Sequence, residues 1–425
     1  MSGRAAPRAT PALQRPKRRN PVLRARQINL PPSARGRVAL GLTAAAAEGR
    51  FELQVCDDCG ALQYPPREAC HRCLSLHLAW RGQSGEGELL ADTVLHHSND
   101  LFFRERLPWR LGMVRLDAGA TVVAHLHGEV GAAPARVRVG ARLDRAGQAV
   151  LIALPLQGSP HMADDPMLRE MTSDPKFRKV LVTDGKTATG QSLVRALVGA
   201  GADLVWVGHA EPWKRFGGLD EVASLPQVTL VPLDLTDARS VTELAGSIGG
   251  KVDIVVNNAE VHRTFGIASR HGTEVARTEM EVNYLGLLRL AQAFGPAMQG
   301  RSAEGQANAI AWVNLLSIYA LSNFPPHGTY SASKAAAFSL AQCLRAEMRA
   351  AGIRVVNVFP GPIDDDWNQH LEPPKLAPEA LARAIVKALR DGVEDVYPGD
   401  VAQEWLERWR TNPKVLEREL AAGGQ

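Results

Sequence analysis

Tyr330 and Lys334 stand four residues apart in a stretch of helical character. One helical turn separates them, so the phenol and the ammonium share one face. A nearby ammonium stabilises tyrosinate and lowers the pKa of a tyrosine, which predicts a proton-exchanging group near neutral pH. Ser317 lies 13 residues before Tyr330, after an apolar run, and Asn283 lies in Glu281-Val-Asn-Tyr. Tyr330 and Lys334 therefore predict an acid–base pair, and Ser317 and Asn283 are further polar candidates for the same site.

A second group of chemistry-bearing residues is a cysteine cluster. Four of the five cysteines fall within 18 residues, as Cys56, Cys59, Cys70 and Cys73. Each CxxC turn aims two thiolates at one point, and two such turns complete the tetrahedral shell that Zn²⁺ prefers. Gly60 suits the backbone reversal that such a turn needs. His71 is an alternative ligand, and a redox pair is the alternative chemistry. Four thiolates leave no open coordination position, so the spacing favours a structural zinc site.

From Lys179 onward, apolar runs alternate with stretches of helical character. The runs are Val180–Thr183, Leu204–Val207, Thr229–Pro232, Val252–Val256, Ile310–Leu315 and Val355–Phe359. Buried parallel strands joined by crossover helices have this pattern. It predicts an α/β fold with a doubly wound parallel sheet over residues 179–415.

Two further segments follow these runs. Asn257-Asn-Ala259 follows Val252–Val256, and Pro360-Gly361 follows Val355–Phe359. Together with the acid–base pair and the two polar candidates, they stand in the order typical of the short-chain dehydrogenase/reductase family, which residues 179 to about 415 resemble. The resemblance implies a Rossmann fold and a nicotinamide cofactor that carries the hydride.

The resemblance also makes the four polar residues a proton relay and implies a role for each. Tyr330 would exchange a proton with the substrate oxygen, and Ser317 would orient that oxygen. Lys334 would hold the nicotinamide ribose, and Asn283 would anchor a water of the relay. The implied cofactor contacts come from Thr183, Gly190, Asp234, Asn257, Ala259, Tyr330, Lys334, Pro360, Gly361 and Ile363. Asp234 also has another interpretation, since Thr236 or Asp237 near it suits a helix N-cap.

The sequence departs from the family pattern at the phosphate loop. The family reads TGxxxGxG, whereas this chain reads Thr183-Asp-Gly-Lys-Thr-Ala-Thr-Gly190, so Asp184 and Ala188 replace two glycines that allow close approach to the pyrophosphate. Gly185, one place along, is the alternative turn residue. Glu260 stands where the family has a glycine after Asn-Asn-Ala. The second run ends in Val207-Gly-His without an acidic residue for the ribose hydroxyls, which favours NADP over NAD.

The preceding part of the chain divides by composition. Residues 1–47 hold ten Lys and Arg and no Asp or Glu, which suits a disordered leader, a nucleic-acid arm or a transit segment. Residues 48–81 contain the predicted zinc ribbon. Five short strands over 82–156 predict a small barrel of the OB-fold type. Breaker-rich residues 157–178 suggest a linker.

These N-terminal segments also carry a resemblance. The stretch from Ala47 to Gly60, then Tyr64-Pro-Pro-Arg, the second cysteine pair and Gly85-Glu-Gly-Glu-Leu-Leu resemble the rubredoxin-like zinc-ribbon and OB-fold family associated with acyl-CoA enzymes. The resemblance implies a thiolase or aldolase partner acting on acyl-CoA thioesters. An OB fold can instead hold nucleic acid on aromatic side chains. This barrel offers few aromatic side chains, namely Phe102, Phe103 and Trp109. We therefore expect no nucleic-acid binding.

Composition places the chain among soluble multidomain proteins. With 425 residues, 45% hydrophobic and 22% charged, two or three domains are expected. The longest apolar stretches are shorter than the roughly 18–20 residues that span a bilayer. We therefore expect a cytoplasmic protein without membrane contact. Homo-oligomer formation is implied by the dehydrogenase resemblance only.

The two resemblances together imply an NAD(P)-dependent oxidoreductase that interconverts a hydroxyl and a ketone on an acyl-CoA thioester or a related lipid-like substrate. The rival hypothesis is a non-catalytic scaffold with a dehydrogenase fold that docks a thiolase- or aldolase-type enzyme. The relay residues favour the first hypothesis, and the altered phosphate loop favours the second.

Overall fold

The computed structural model describes residues 13, 29–33, 35–158, 160–264, 266–269, 271–301 and 308–422. It divides into two compact units that meet in sequence at Asp174 and Pro175, and the short piece Arg390–Val393 is grouped with the first unit. Most of the predicted basic leader lies outside the described residues. Its last part is helix α1 (Leu40–Ala47), whose Leu42 and Ala46 are buried in the first unit's core.

The first unit contains a three-stranded ribbon and a closed barrel. The ribbon strands are β1 (Glu52–Cys56), β2 (Leu62–Gln63) and β3 (Leu78–Gly82). The barrel elements are β4 (Glu86–Leu95), α2 (Leu101–Arg104), β5 (Trp109–Leu116), β6 (Thr121–Leu126), β7 (Ala135–Leu143) and β8 (Ala149–Pro155). The barrel closes in the order β4-β5-β6-β8-β7. Alternation of buried and exposed residues along β6 and β7 fills the interior with apolar side chains.

The segment after the barrel differs from the linker expected over residues 157–178. Short 3-10 turns at Met162–Asp164 and Leu168–Met171 bury Met162, Leu168 and Met171 against Trp109 and Ile152. The breakers of this segment made it look unstructured, but its apolar residues contact the barrel. Short 3-10 turns have three residues per turn, so their sequence does not show the 3.6-residue apolar periodicity by which an α-helix is predicted.

The second unit is a doubly wound parallel sheet, as predicted. Its strands are β9 (Lys179–Val182), β10 (Leu204–His209), β11 (Val228–Pro232), β12 (Ile254–Asn257), β13 (Ala311–Leu315), β14 (Arg354–Val358) and β15 (Asp395–Val396). Its helices are α3 (Ala188–Gly199), α4 (Leu219–Ala223), α5 (Ala238–Ile248), α6 (Glu274–Met280), α7 (Gly286–Gly300), α8 (Gly328–Arg349), α9 (Pro378–Asp391), α10 (Asp400–Thr411) and α11 (Pro413–Ala422).

The strand order of this sheet, β11-β10-β9-β12-β13-β14-β15, determines where a site can form. The chain runs outward from β9 to β11 and then returns to the other side of β9 as β12. Ligands of open α/β sheets bind beyond the carboxyl ends of the strands at such a switch point. The loops that begin at Thr183 after β9 and at Asn258 after β12 lie at this switch point.

Helix α8 carries the tyrosine and the lysine on its buried side. Tyr330, Lys334, Ala337, Ala341 and Leu344 are buried at intervals of three and four residues. This spacing is the apolar face of a helix that packs on a core. Lys334 is 2% exposed on that face, so its ammonium needs hydrogen-bond partners inside the protein.

Candidate functional site

Lys334 projects from α8 toward the carboxyl end of β13. Its Nζ donates to the Leu315 carbonyl oxygen at 2.9 Å. Tyr330 lies one turn earlier on the same face, and the Lys334 Nζ is 5.5 Å from its ring centroid. The predicted sharing of one helix face by the phenol and the ammonium is therefore present in the structure.

Glu260 joins these two side chains. Its Oε2 lies 2.7 Å from the Lys334 Nζ and accepts a hydrogen bond from the Tyr330 hydroxyl at 3.0 Å. Sequence comparison with the family pattern identified Glu260 only as a missing glycine. In the structure, the Glu260 carboxylate forms an ion pair with the Lys334 ammonium, the group that the resemblance assigns to binding the nicotinamide ribose.

The pKa of Tyr330 moves in the direction opposite to the one expected from its lysine neighbour. Burial first, and then the Glu260 carboxylate, raise the pKa of Tyr330 well above its ordinary value. A carboxylate that accepts the phenolic hydrogen bond stabilises the neutral phenol, and it offsets the positive charge of Lys334. The expectation of a lowered pKa is therefore wrong for this arrangement, and Tyr330 is protonated at neutral pH.

Ser317 lies two residues beyond the end of β13, on the wall of a small cleft. Its Oγ accepts the backbone N–H of Tyr319 at 3.2 Å, so the hydroxyl hydrogen is free to donate elsewhere. The cleft wall combines relay residues, predicted cofactor contacts and apolar groups. It consists of Glu260, His262, Leu316, Ser317, Tyr319, Tyr330, Pro360, Gly361, Pro362, Ile363 and Asn368.

Asn283 lies in a single turn of π-helix, Glu281–Leu285, between α6 and α7. Such turns occur often at functional sites because they re-aim one side chain. The Asn283 Nδ2 donates to the Val261 carbonyl and to the Ser333 Oγ, each at 2.9 Å, and its Oδ1 accepts the Val261 N–H at 2.9 Å. Both amide hydrogens are therefore used by the protein. Asn283 fastens the Glu260–His262 segment to α8 from behind the cleft.

The loop after β9 is tied to the loop after β12. The Thr183 Oγ1 donates to the Asn257 Oδ1 at 3.2 Å and accepts the backbone N–H groups of Asn258 and Ala259 at 3.1 Å. Thr183, Asn257 and Ala259, three of the predicted cofactor contacts, thus lie together at the switch point. Gly190, in the first turn of α3, is required here because a Cβ on it would lie 1.9 Å from the Asp184 carbonyl oxygen.

Asp184 is fixed inside the phosphate loop. Its Oδ1 accepts the Lys186 N–H at 2.8 Å, its backbone is bonded to the Asn258 side chain, and its own side chain is 8% exposed. Burial raises the pKa of Asp184. Gly185 has no left-handed φ; it is needed because a Cβ there would lie 2.2 Å from the Val207 Cγ1.

The remaining predicted cofactor residues lie in two separate places, the turn before α5 and the wall of the cleft. The Asp234 Oδ1 accepts from the backbone and hydroxyl of Thr236 at 2.9 and 2.7 Å, and Asp237 is the N-cap of α5. Asp234 therefore shapes the turn before α5, and no contact among the described residues joins it to the cleft. Pro360, Gly361 and Ile363, which follow β14, lie in the cleft wall.

The cysteine cluster forms in the first unit. The Sγ atoms of all four cysteines lie within 4.8 Å of one another, and the Cys56–Cys73 and Cys59–Cys70 pairs are each 3.6 Å apart. Four sulfurs around zinc at about 2.3 Å stand about 3.8 Å apart, so the cluster fits a tetrahedral Zn²⁺. The cluster of ligand atoms does not include His71, whose Nδ1 lies 3.2 Å from the Gln63 Oε1. Gly60 has the positive φ of 70° expected for the turn.

Comparison with protein families divides the chain into the same three parts as the structure: a zinc ribbon, a barrel and a parallel α/β unit. The model of the short chain dehydrogenase family matches residues 178–375, the rubredoxin-like zinc ribbon domain of ChsH2 matches 43–78, and the C-terminal OB-fold domain of ChsH2 matches 80–148. Among the described residues, we find no helix with the length and hydropathy of a membrane span.

Individual relatives match the second unit. Dehydrogenase/reductase SDR family member 7C of Bos taurus is 32% identical over 236 residues, 53% of this chain and 71% of the relative. Member 7B of Mus musculus is 33% identical over 190 residues, 43% of this chain and 56% of its own length. A Burkholderia cenocepacia short chain dehydrogenase, solved in complex with NADP, is 33% identical with a TM-score of 0.52, covering 59% of this chain and 99% of its own.

A doubly wound sheet whose cleft beyond β13 and β14 is lined by Ser317 and Tyr330, with Lys334 buried beside Tyr330, is the arrangement of the short-chain dehydrogenase fold. The chain belongs to the short-chain dehydrogenase/reductase family, fused to a ChsH2-type zinc ribbon and OB-fold. It spans 56% and 59% of the length of two of its curated mammalian relatives.

Sequence reasoning missed the histidines of this site. His262 stacks on the Tyr330 ring with centroids 4.0 Å apart, and its Nε2 is 2.7 Å from the Nδ1 of His327. His262 follows Glu260 by two residues, and His327 precedes Tyr330 by three. Only the proximity of each histidine to a recognised marker was a signal in the sequence, because the two are 65 residues apart.

Proposed function

We propose that the second unit is an NADP(H)-dependent oxidoreductase that reduces a ketone to a hydroxyl group on an acyl-CoA thioester. The observation that carries the proposal is the placement of Ser317 and Tyr330 on the wall of one cleft beyond the ends of β12, β13 and β14, with Lys334 one turn from Tyr330 on the same helix face. When bound, the nicotinamide supplies the hydride. The chain supplies binding, orientation and the proton.

Ser317 and Tyr330 act on the substrate oxygen. The free Ser317 hydroxyl donates a hydrogen bond to the ketone oxygen, and Tyr330 donates its proton as that oxygen gains negative charge. A raised pKa keeps Tyr330 protonated, which suits reduction better than oxidation. This proton transfer requires the Tyr330 hydroxyl to leave Glu260 and turn toward the substrate.

The residues around the switch point fit a dinucleotide, but the Glu260 carboxylate competes with it for the Lys334 ammonium. The close contact of Gly190 with the Asp184 carbonyl brings the start of α3 to the strand ends, where pyrophosphates bind. Lys334 would hold the nicotinamide ribose once Glu260 releases it. The absence of an acidic residue at the end of β10, where His209 stands, supports NADP, as does the NADP complex of the Burkholderia relative.

The substrate class rests on two supports. Leu316, Pro362, Ile363 and Tyr319 give the cleft an apolar wall for an acyl chain. The ChsH2-type ribbon and OB-fold resemble modules associated with acyl-CoA enzymes, which supports a thioester and a thiolase or aldolase partner.

The test is oxidation of NADPH, followed by its absorbance, with 3-oxoacyl-CoA thioesters of increasing chain length as substrates. We expect substrate-dependent turnover by the wild type and at least a hundredfold slower turnover by Tyr330→Phe, because general acid catalysis contributes about 10²–10⁴-fold. Equal rates for the two proteins would refute the assignment of Tyr330.

A second candidate function is a non-catalytic scaffold that docks a thiolase or aldolase. The ion pair of Glu260 with Lys334 and the buried Asp184 favour it, since both place a carboxylate where a dinucleotide binds. Calorimetric titration distinguishes the two functions. Binding of NADPH to wild type supports the oxidoreductase, whereas no binding by wild type or by Glu260→Gly supports the scaffold.

A further inference from the structure

Three histidines form a continuous row between the cleft and the surface of the second unit. His262 lines the cleft and is 3% exposed, His327 is fully buried, and His370 is exposed. They come from three separate segments: the loop after β12, the residue before α8, and the loop after β14. The fold therefore assembles the row from distant parts of the chain.

The ring nitrogens are arranged end to end. The His262 Nε2 lies 2.7 Å from the His327 Nδ1, and the His327 Nε2 lies 3.5 Å from the His370 Nε2. The remaining His262 nitrogen, Nδ1, has no partner among the described residues. A neutral imidazole can accept a proton at one nitrogen and release one from the other. Burial lowers the pKa of His262 and of His327 to about 3, so both are neutral at pH 7.

The other groups behind Tyr330 are already engaged. Both amide hydrogens of Asn283 are donated to Val261 and Ser333. The Lys334 ammonium donates to the Leu315 carbonyl and, until a dinucleotide displaces it, is paired with Glu260. A tyrosine that gives up its proton in each turnover must regain one, and the histidine row leads from the wall of this cleft to the exposed His370.

We propose that His370, His327 and His262 return protons from solvent to Tyr330 after each reduction. The inference rests on the proposed ketone reduction. After Tyr330 has given its proton to the substrate oxygen, the His262 Nδ1–H passes a proton through one water of the cleft to the phenolate. His262 regains a proton at Nε2 from the His327 Nδ1, His327 regains one at Nε2 from the His370 Nε2, and His370 takes one from solvent. One proton moves inward and no electrons move. Each ring is left as the opposite tautomer, and a return of the rings to the first tautomer completes the cycle before the next reduction.

The charged and titratable groups near the row define its electrostatic setting. Lys334, Arg263 and His370 face His262 as cationic or protonatable neighbours and oppose its protonation. The rings of Tyr330 and Tyr319 lie 6.4 and 5.5 Å from that of His327. A neutral relay is favoured in such surroundings over a stably charged histidine.

The experiment measures turnover of the full-length chain with NADPH and a ketone substrate at low and high imidazole concentration. His370→Gln is the first variant because His370 is exposed, and His271→Gln, another exposed histidine of the same unit, is the matched control. We expect His370→Gln and His327→Asn to lower kcat about tenfold at low buffer concentration. This effect is smaller than the roughly 10²–10⁴-fold contribution of a general acid itself, because the two histidines act only in returning its proton. Imidazole should restore kcat in His370→Gln, and KM and the Kd of NADPH should stay unchanged.

A merely structural role of these histidines would not produce rescue by a small proton carrier. If both variants keep the wild-type kcat at the lowest buffer concentration, the relay is overturned while the proposed function stands. If His327→Asn loses NADPH binding, its fold is damaged and the His370→Gln result decides. A wild type that turns over no ketone overturns the proposed function, and the relay with it.

Discussion

Replacing Glu260 with glycine restores the residue that the family pattern has after Asn257-Asn-Ala259, and we expect it to tighten NADPH binding. In the structure, the Glu260 carboxylate bridges Lys334 and Tyr330. A nicotinamide ribose must displace this carboxylate to reach the ammonium. Glycine removes the competitor and leaves Lys334 with a free donor toward the cleft.

The magnitude follows from what is displaced. Glu260 Oε2 is 2.7 Å from the Lys334 Nζ, and the glutamate side chain is 13% exposed, so water screens the pair only partly. A hydrogen bond to a charged group contributes about 1.5–3 kcal/mol. Since each 1.4 kcal/mol is about a tenfold change in affinity, the Kd of NADPH should fall by roughly 10- to 100-fold in Glu260→Gly.

Titration followed by nicotinamide fluorescence, with calorimetry as a second measurement, provides the test. Glu260→Gln is the matched control because it keeps the side-chain shape and removes the charge, so its Kd should lie between those of wild type and Glu260→Gly. The competition hypothesis is refuted if Glu260→Gly binds NADPH no more tightly than wild type does.

Four other predictions have defined outcomes. Asp184→Gly should tighten NADPH binding about tenfold, because a carboxylate 4–6 Å from a phosphate at an effective dielectric near 20 repels it by roughly 3–4 kcal/mol before screening; an unchanged Kd would show that the buried Asp184 does not face the pyrophosphate. Tyr330→Phe should lose turnover and keep NADPH affinity, whereas Lys334→Ala should lose both, and equal mild effects would count against the assigned roles. Metal analysis should find about one zinc per chain, and Cys59→Ser should lose it and unfold the ribbon while the dehydrogenase unit keeps its circular dichroism; a metal-free wild type with four titratable thiols contradicts this. Between pH 7 and pH 5, the free energy of unfolding of the second unit should fall by up to about 2 kcal/mol for each of His262 and His327. Their pKa in the folded chain is about 3, below the unfolded value of 6.5, so acid favours the unfolded chain. Urea unfolding should show a smaller change with pH for His327→Asn than for wild type, and an equal change would contradict the reasoning.

Periodicity and spacing predicted most of the fold. The buried runs such as Val252–Val256 became parallel strands because aliphatic residues covered on both faces of a sheet leave no polar alternation. The cysteine spacing predicted the metal cluster, since two CxxC turns constrain four sulfurs locally. Strand β15 was missed because Asp395 and Val396 are too short a run to show a pattern.

The contacts of the site were less predictable. The sequence marked Glu260 as a departure, but the bridge to Tyr330 and Lys334 joins residues 70 or more positions apart and depends on how α8 packs on β13. Burial, and then that bridge, reverse the shift in the pKa of Tyr330 that the YxxxK spacing leads one to expect. The local motif placed the phenol and the ammonium on one helix face, whereas burial and a distant carboxylate determined the protonation of the phenol.

Hydride transfer itself can be observed with NADPH deuterated at the transferred 4-position. We predict that wild-type protein, and more rapidly Glu260→Gly, forms an alcohol carrying one deuterium on the former carbonyl carbon, as seen by mass spectrometry, and that Tyr330→Phe forms it at least a hundredfold more slowly. An unlabelled product, or no product from either wild type or Glu260→Gly across the thioester series, would contradict an oxidoreductase and leave the scaffold function in its place.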